Sequence, residues 1–257
     1  MSGHERISAA IRAAKGRGGP ALVAFMTAGY PSRERFREHV KSIAAGADVI
    51  EIGVPFTDPM ADGVTIQRAS RAALAQGVSL RWILNELSAM RLGVPVILMS
   101  YLNPLLALGL ESLCRAAADA DVAGFIVPDL PVDESDELRA ALEPYGLALI
   151  QMVTPVTKAA RLARLCDTSQ GFVYAVTMTG TTGRSVAVPQ SVLEYLDRVR
   201  ARARIPVCAG FGIRSREQVA RLADHVDGVI VGSALVEVLE RNADPAEWLA
   251  ALRPAVQ

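Results

Sequence analysis

Short runs of β-branched and other apolar residues recur along the chain, and each is followed by a longer segment whose apolar positions return every three or four residues. The runs fall at 21–26, 49–52, 94–99, 124–127, 148–153, 172–176, 206–209 and 228–231, eight in all. Their starts lie roughly 20 to 45 residues apart, enough for a strand, a loop and a crossover helix each time, as parallel strands require. Eight such units in about 250 residues is the size of a closed barrel of eight βα units. An open doubly wound sheet would use the same elements, but no G-x-G-x-x-G follows the first run. The expected fold class is therefore α/β, a single (β/α)8 TIM barrel, with one addition. A helical segment at about 5–15 precedes the first strand and stops at Gly16-Arg17-Gly18-Gly19-Pro20, where it is placed to cover the bottom of the barrel.

Helix boundaries are legible between the strands. Pro31-Ser32 opens a segment that Gly46 ends, Pro131-Val132-Asp133 opens one that Gly146 ends, and Ser215 with Gln218 three residues later forms a capping box. No linker, low-complexity tract or charge run divides the chain, so residues 1–257 are expected to form one domain.

Composition removes several classes of function. Lys and Arg number 27, Asp and Glu 27, and the resulting zero net charge, with no basic cluster, leaves nothing to neutralise nucleic-acid phosphates or an anionic membrane. No stretch approaches the roughly 18 to 20 apolar residues of a membrane span, and the first twenty residues lack a signal peptide's apolar block, so a cytoplasmic location is expected. Cys114, Cys166 and Cys208 are scattered and lack metal-ligand spacing, so they are expected to be reduced, buried and free of zinc.

In a barrel of this kind, catalytic groups sit at the C-terminal ends of the strands and in the loops that follow. None of His4, His39 and His225 falls there, which argues against a histidine base or a histidine-ligated metal. Lys158, the lysine nearest to a strand end, opens a helix and suits solvent better than a Schiff base. Carboxylates remain. Alternation along 49–52 puts Glu51 on the face of Val49, opposite to Ile50 and Ile52. If the isoleucines pack against helices, Glu51 points into the barrel, where desolvation raises its pKa towards neutrality and lets it act as acid and base in turn. The plain alternative is a Glu paired with an Arg at the rim. Asp62 ends the following loop just before a helix near Val64, so it serves either the helix dipole or the site.

Two glycine clusters, Gly210-Phe211-Gly212-Ile213 and Gly232-Ser233-Ala234, follow the last two strands, and the second runs into a helix. Backbone N–H groups there can cradle a phosphate, with Arg214 nearby but not required. The loop 177–185 is long, small and polar, which suits a lid as well as a plain flexible loop. Tyr174 near the end of the sixth strand either offers a hydroxyl to the site or is one more core aromatic.

The run Glu51-Ile52-Gly53-Val54-Pro55-Phe56-Thr57-Asp58-Pro59-Met60-Ala61-Asp62-Gly63 resembles the signature of the tryptophan synthase alpha chain family. Phe125-Ile126-Val127-Pro128-Asp129-Leu130-Pro131, the 180–183 loop and both glycine clusters look like that family's motifs, in the same order, over nearly the whole chain. The resemblance implies a carbon–carbon lyase that splits 1-C-(indol-3-yl)glycerol 3-phosphate into indole and glyceraldehyde 3-phosphate with no cofactor or metal on this chain. It implies Glu51 as acid and base, Asp62 at the indole N–H, Tyr174 lining the site, and Phe25, Met99 and Phe211 around the indole. Gly183, Gly212, Gly232 and Ser233 then match the phosphate cradle. Asp58 and the lid residue Thr182 match positions that face a beta chain, which carries pyridoxal phosphate and receives indole in an α2β2 heterotetramer.

Two departures stand out: Val64 where a proline often follows Asp-Gly, and Thr177-Met178-Thr179 in place of a Ser-Arg-containing stretch in the lid. The second bears on coupling to the beta chain. Two other functions compete with the implied one: a free-standing indole-glycerol-phosphate lyase, and a non-catalytic activating subunit. An inward Glu51 has no use in the latter.

Overall fold

The computed structural model describes residues 1–177, 188–210 and 212–254. All eight expected strands are present, as β1 (Ala21–Thr27), β2 (Val49–Gly53), β3 (Val96–Met99), β4 (Val122–Ile126), β5 (Ala148–Val153), β6 (Val173–Val176), β7 (Val207–Gly210) and β8 (Gly228–Val231). They close into a parallel barrel in chain order, with β8 returning to pair with β1, and helices alternate with them. The (β/α)8 barrel is thus observed, together with the extra N-terminal helix.

Period-two alternation sorts the strand residues into two layers. Leu22, Ala24 and Met26 of β1, Ile50 and Ile52 of β2 and Leu98 of β3 face outward and pack under the helices. Val23, Val49, Ile97, Ile150, Phe172 and Cys208 point inward and fill the barrel. The register slips once, between β3 and β4, where Val96 pairs with Val122 but Ile97 pairs with Gly124. A side chain on Gly124 would meet the carbonyl oxygen of Ala148 at 2.6 Å, so the strands close tightly at that point.

The N-terminal helix runs Gly3–Gly16, capped by Ser2 and Glu5 in a reciprocal capping box. Ile7, Ile11 and Ala14 repeat at helical spacing and join the inward-facing cluster, so this helix seals the N-terminal end of the barrel. Its first turn sits directly on β4: a Cβ on Gly3 would lie 1.9 Å from the Ala123 carbonyl oxygen. At its other end, the Lys15 ammonium donates to the carbonyls of Ala223 and, at 3.1 Å, Val226.

Two helices differ from expectation. The segment ending at Gly46 becomes helical only at Phe36; residues 31–35 turn instead, with the Arg33 backbone N–H donating to Gln76 Oε1 at 2.9 Å. The segment opened by Pro131 is split into a 3-10 turn (Val132–Glu134), a helix (Asp136–Leu142) and a second 3-10 turn (Glu143–Tyr145) that ends at Gly146 with φ +65°. The buried Ser135 hydroxyl donates to the Val132 carbonyl at 2.9 Å and ends the first turn, while Pro144 lacks the N–H that would continue the helix. The Ser215–Gln218 capping box is present as expected.

Among the described residues no helix is long and apolar enough to cross a membrane. Cys114, Cys166 and Cys208 are free and buried.

The seal at the barrel floor is testable by truncation. Ile11→Ala should lower the unfolding free energy in urea by about 2 to 5 kcal/mol with an unchanged m-value, whereas the exposed neighbour Arg12→Ala should change it by less than about 0.5 kcal/mol.

Candidate active site

Glu51 occupies the middle of β2, paired in register with Phe25 on one side and Ile97 on the other. Ile50 and Ile52 pack outward, so the carboxyl group points into the barrel. It is 1% exposed, and among the described residues neither carboxyl oxygen has a hydrogen-bond partner. The plain alternative of a rim Glu held by an arginine is not what the structure has. Burial pushes the Glu51 pKa up to about 8, and the nearby negative charge of Asp62 adds to the rise. At neutral pH the group is a carboxylic acid. Having given its proton away, it becomes a base strong enough to take another.

Asp62 lies on the loop between β2 and the helix Val64–Ala75. That helix is capped by Gly63 without any side-chain bond, and Asp62 instead lines a cleft at the barrel mouth with Phe25, Thr27, Gly53, Met99 and Tyr101. Burial raises its pKa to about 6, opposed in part by the Tyr101 hydroxyl. Tyr101 follows β3 by two residues and was not among the residues singled out from sequence. Its hydroxyl accepts from the Ala61 N–H at 2.8 Å and its ring stacks on Phe56 at 5.1 Å between centroids, which pins the loop that carries Asp62. A polar aromatic just past the inward-facing Met99 was the only sequence signal for it. Asp58, on the same loop, is exposed and accepts from the Thr57 hydroxyl.

Glycines make room for the two large rings inside the barrel. A Cβ on Gly53 would come within 2.6 Å of the Phe25 ring, and one on Gly210 within 2.5 Å of the Tyr174 hydroxyl. Phe25 also passes beside Gly232, 3.5 Å from where a Cβ would stand, and so spans from β2 to the loop after β8. Tyr174 packs with the inward cluster, in register with Met152 and Cys208. Burial, with Glu51 and Asp62 as neighbouring negative charges, holds its hydroxyl firmly protonated.

Gly212 and Gly232-Ser233 stand at the ends of β7 and β8. Gly212 has φ +81°, a conformation that side chains rarely adopt, so glycine is required by the turn. The Gln218 side chain holds this turn together, accepting from the Arg214 N–H at 2.7 Å and donating to the Gly212 carbonyl at 3.3 Å. Gly232 begins the helix Ser233–Glu240, whose first N–H groups have no side-chain cap. The Arg214 guanidinium is committed to Glu237 of that helix by two bonds of 2.9 and 2.7 Å, which braces one glycine turn against the other. Phe211, Gly183 and Thr182 lie outside the described residues, as do Met178 and Thr179.

The residues set aside from sequence stay away from the cleft. Lys158 is exposed at the N-cap of the helix Ala159–Thr168, His39 is buried in the helix Phe36–Gly46, and His225 bonds Asp197 at 2.7 Å. Among the described residues no group of three or more His, Cys, Asp or Glu is placed to hold a metal ion.

Comparison with known proteins shows which family has this sequence and fold. The family model described as tryptophan synthase alpha chain matches residues 11–254. The tryptophan synthase alpha chain of Nitratidesulfovibrio vulgaris is 45% identical over 249 residues, covering 96% of this chain and 97% of that one. That of Carboxydothermus hydrogenoformans is 44% identical over 238 residues, covering 91% and 89%. Among solved structures, a chain of Mycobacterium tuberculosis tryptophan synthase superposes with a TM-score of 0.89 at 37% identity, covering 97% of this chain and 99% of that one.

The unpaired acid inside the barrel has a signature in stability. A carboxyl pKa raised in the folded state contributes stability that is complete below the unfolded value of 4.5 and is lost as pH rises through about 8. Glu51→Gln removes the titrating group, so the unfolding free energy of the variant should gain steadily on that of the original chain between pH 5 and about 9 in denaturant titrations. A constant difference over that range would mean that Glu51 is ionised in the folded protein.

Proposed function

Because the chain belongs to the tryptophan synthase alpha chain family, a family of lyases of tryptophan biosynthesis, we propose that it splits 1-C-(indol-3-yl)glycerol 3-phosphate into indole and glyceraldehyde 3-phosphate, with Glu51 as acid and base. The observation that carries the reading is the buried Glu51 carboxyl, which has no hydrogen-bond partner among the described residues and whose pKa burial pushes up to about 8. It donates its proton to the indole carbon that bears the glycerol chain. Positive charge then grows on the indole nitrogen, where the Asp62 carboxylate stabilises it. As the carbon–carbon bond breaks, its electron pair returns to the ring, and Glu51, now a carboxylate, takes the proton of the adjacent hydroxyl, which becomes the aldehyde. The acid is regenerated, and no electron carrier or metal is needed to balance the step.

Phe25 and Met99 flank the indole in this reading, with Phe211, and Tyr174 closes the interior behind Glu51. Gly212 and the uncapped helix start at Gly232-Ser233, with Gly183, receive the phosphate through backbone N–H groups. Thr182 belongs to the lid. Residues 1–257 act as one catalytic domain.

The partner of this reading is a tryptophan synthase beta chain, holding pyridoxal phosphate in an α2β2 assembly in the cytoplasm. Supporting it are four large apolar residues left open to solvent: Met60 (83% exposed) and Val64 (69%) after β2, Leu106 (48%) after β3 and Val156 (78%) after β5. All four follow the C-terminal ends of strands, around the mouth where Asp58 also lies.

Indole release from indole-glycerol phosphate, followed with the chain alone and then with a tryptophan synthase beta chain added, tests both halves. Cleavage should rise strongly on addition; a fast rate unchanged by the partner would make this a free-standing lyase. Glu51→Gln should lower kcat by at least about 100-fold in either setting while leaving beta-chain binding intact. Activity needs Asp62 ionised and Glu51 protonated, so kcat/KM should fall below about pH 6 and above about pH 8. Full cleavage by Glu51→Gln would overturn the catalytic assignment.

A further inference from the structure

Thr27 is the last residue of β1, in register with Gly53 and on the same inward face as Phe25. It is 1% exposed, and its hydroxyl has no hydrogen-bond partner among the described residues. A buried hydroxyl in that state is destabilising, because it gave up water and gained nothing in return. Valine has nearly the same shape and would carry no such penalty. The hydroxyl therefore calls for a partner that arrives later.

The cleft that Thr27 lines narrows the choice of partner. Its other walls are apolar at Phe25, Val54, Ile66 and Met99, and its polar side chains besides Thr27 are Asp62, Tyr101 and Ser70. The Tyr101 hydroxyl accepts from the Ala61 N–H and gives its own proton to the Asp62 carboxyl, which leaves further acceptor positions on Asp62 to fill. Asp62 is the one carboxylate on the cleft wall, and an ionised carboxylate offers about four acceptor positions. Glu51 on β2 and Tyr174 on β6 couple electrostatically to Asp62, and Asp129 after β4 acts on the adjoining Tyr101. Burial disfavours charge on Asp62. A hydroxyl donor favours that charge without adding another.

We propose that Thr27 is a positioning residue, whose hydroxyl donates to the Asp62 carboxylate when the substrate enters the cleft and holds it against the indole N–H. This rests on the role given above to Asp62. Among the described residues the hydroxyl has no partner in the free protein, and it is paired when the reaction needs Asp62 ionised and fixed in place. The tyrosine pins the loop from one side and the threonine completes the grip from the other.

Thr27→Val and Thr27→Ser separate this role from a structural one. Thr27→Val should melt at the same temperature as the original chain or higher, yet show a kcat for indole release lowered about tenfold, a KM within about twofold, and an acidic limb of the pH–rate profile moved to higher pH. Thr27→Ser, which keeps the hydroxyl, should retain the original kcat and limb. Should Thr27→Val not fold, Thr27→Ala should show the same kinetic split. An unchanged kcat and acidic limb in the variants without a hydroxyl would overturn the proposal. So would a raised KM at unchanged kcat, which would make Thr27 a substrate contact. Asp62→Asn is measured alongside: if it cleaves at the original rate, the role of Asp62 fails first, whereas a slow Asp62→Asn beside a fully active Thr27→Val refutes the role of Thr27 alone.

Discussion

The structure turns on one desolvated carboxyl group. Glu51 sits inside a barrel whose other inward residues are almost all apolar, and among the described residues nothing donates a hydrogen bond to either of its oxygens. In water a glutamate is ionised at neutral pH; in this interior the charged form loses its hydration without compensation, and the proton stays on. That fact alone converts an ordinary side chain into a proton donor near neutrality. The second carboxyl, Asp62, tightens the hold on the proton and is itself displaced less, because it lies nearer to solvent and beside the Tyr101 hydroxyl. Two carboxyl groups of similar chemistry are thus set to opposite protonation states by depth and neighbours.

Much of the surrounding fold keeps that interior dry and correctly shaped. The N-terminal helix closes the floor with Ile7, Ile11 and Ala14, so water cannot reach the buried acid from below. Gly53 and Gly210 leave room for the rings of Phe25 and Tyr174. At the ends of β7 and β8 stand the positive-φ turn at Gly212, the uncapped helix start at Gly232, and the Arg214–Glu237 pair that ties the two together. A surface ion pair of this kind adds little stability on average, and its bidentate geometry serves better to hold a loop in register.

The legible part of this arrangement was local. Eight apolar runs gave eight strands with limits within two residues of those observed, and simple alternation was enough to turn Glu51 inward. The N-terminal helix and the Ser215 capping box were readable for the same reason, since their signals lie within one turn of the chain. Features that depend on distant partners were not. Tyr101 matters because it accepts from Ala61, forty positions earlier, and the turn at residues 31–35 that precedes the helix is tied by the Arg33 N–H to Gln76, far along the chain. The unpaired hydroxyl of Thr27 has no sequence mark, because burial without a partner is a property of the assembled cleft. The break at Ser135 carried a weak local clue in Pro144, overshadowed by the helical spacing of Leu138 and Leu142.

A direct titration of the Glu51 side chain shows whether it is a neutral acid in the folded protein at physiological pH. With carbon-13 placed in the glutamate carboxyl groups and the Glu51 resonance assigned by comparison with Glu51→Gln, its chemical shift should move with a midpoint at about pH 8, far above the exposed glutamates of the same chain. A midpoint near the ordinary value of 4.5 would instead make Glu51 a permanent carboxylate with no proton to give, and its role as the acid would fall.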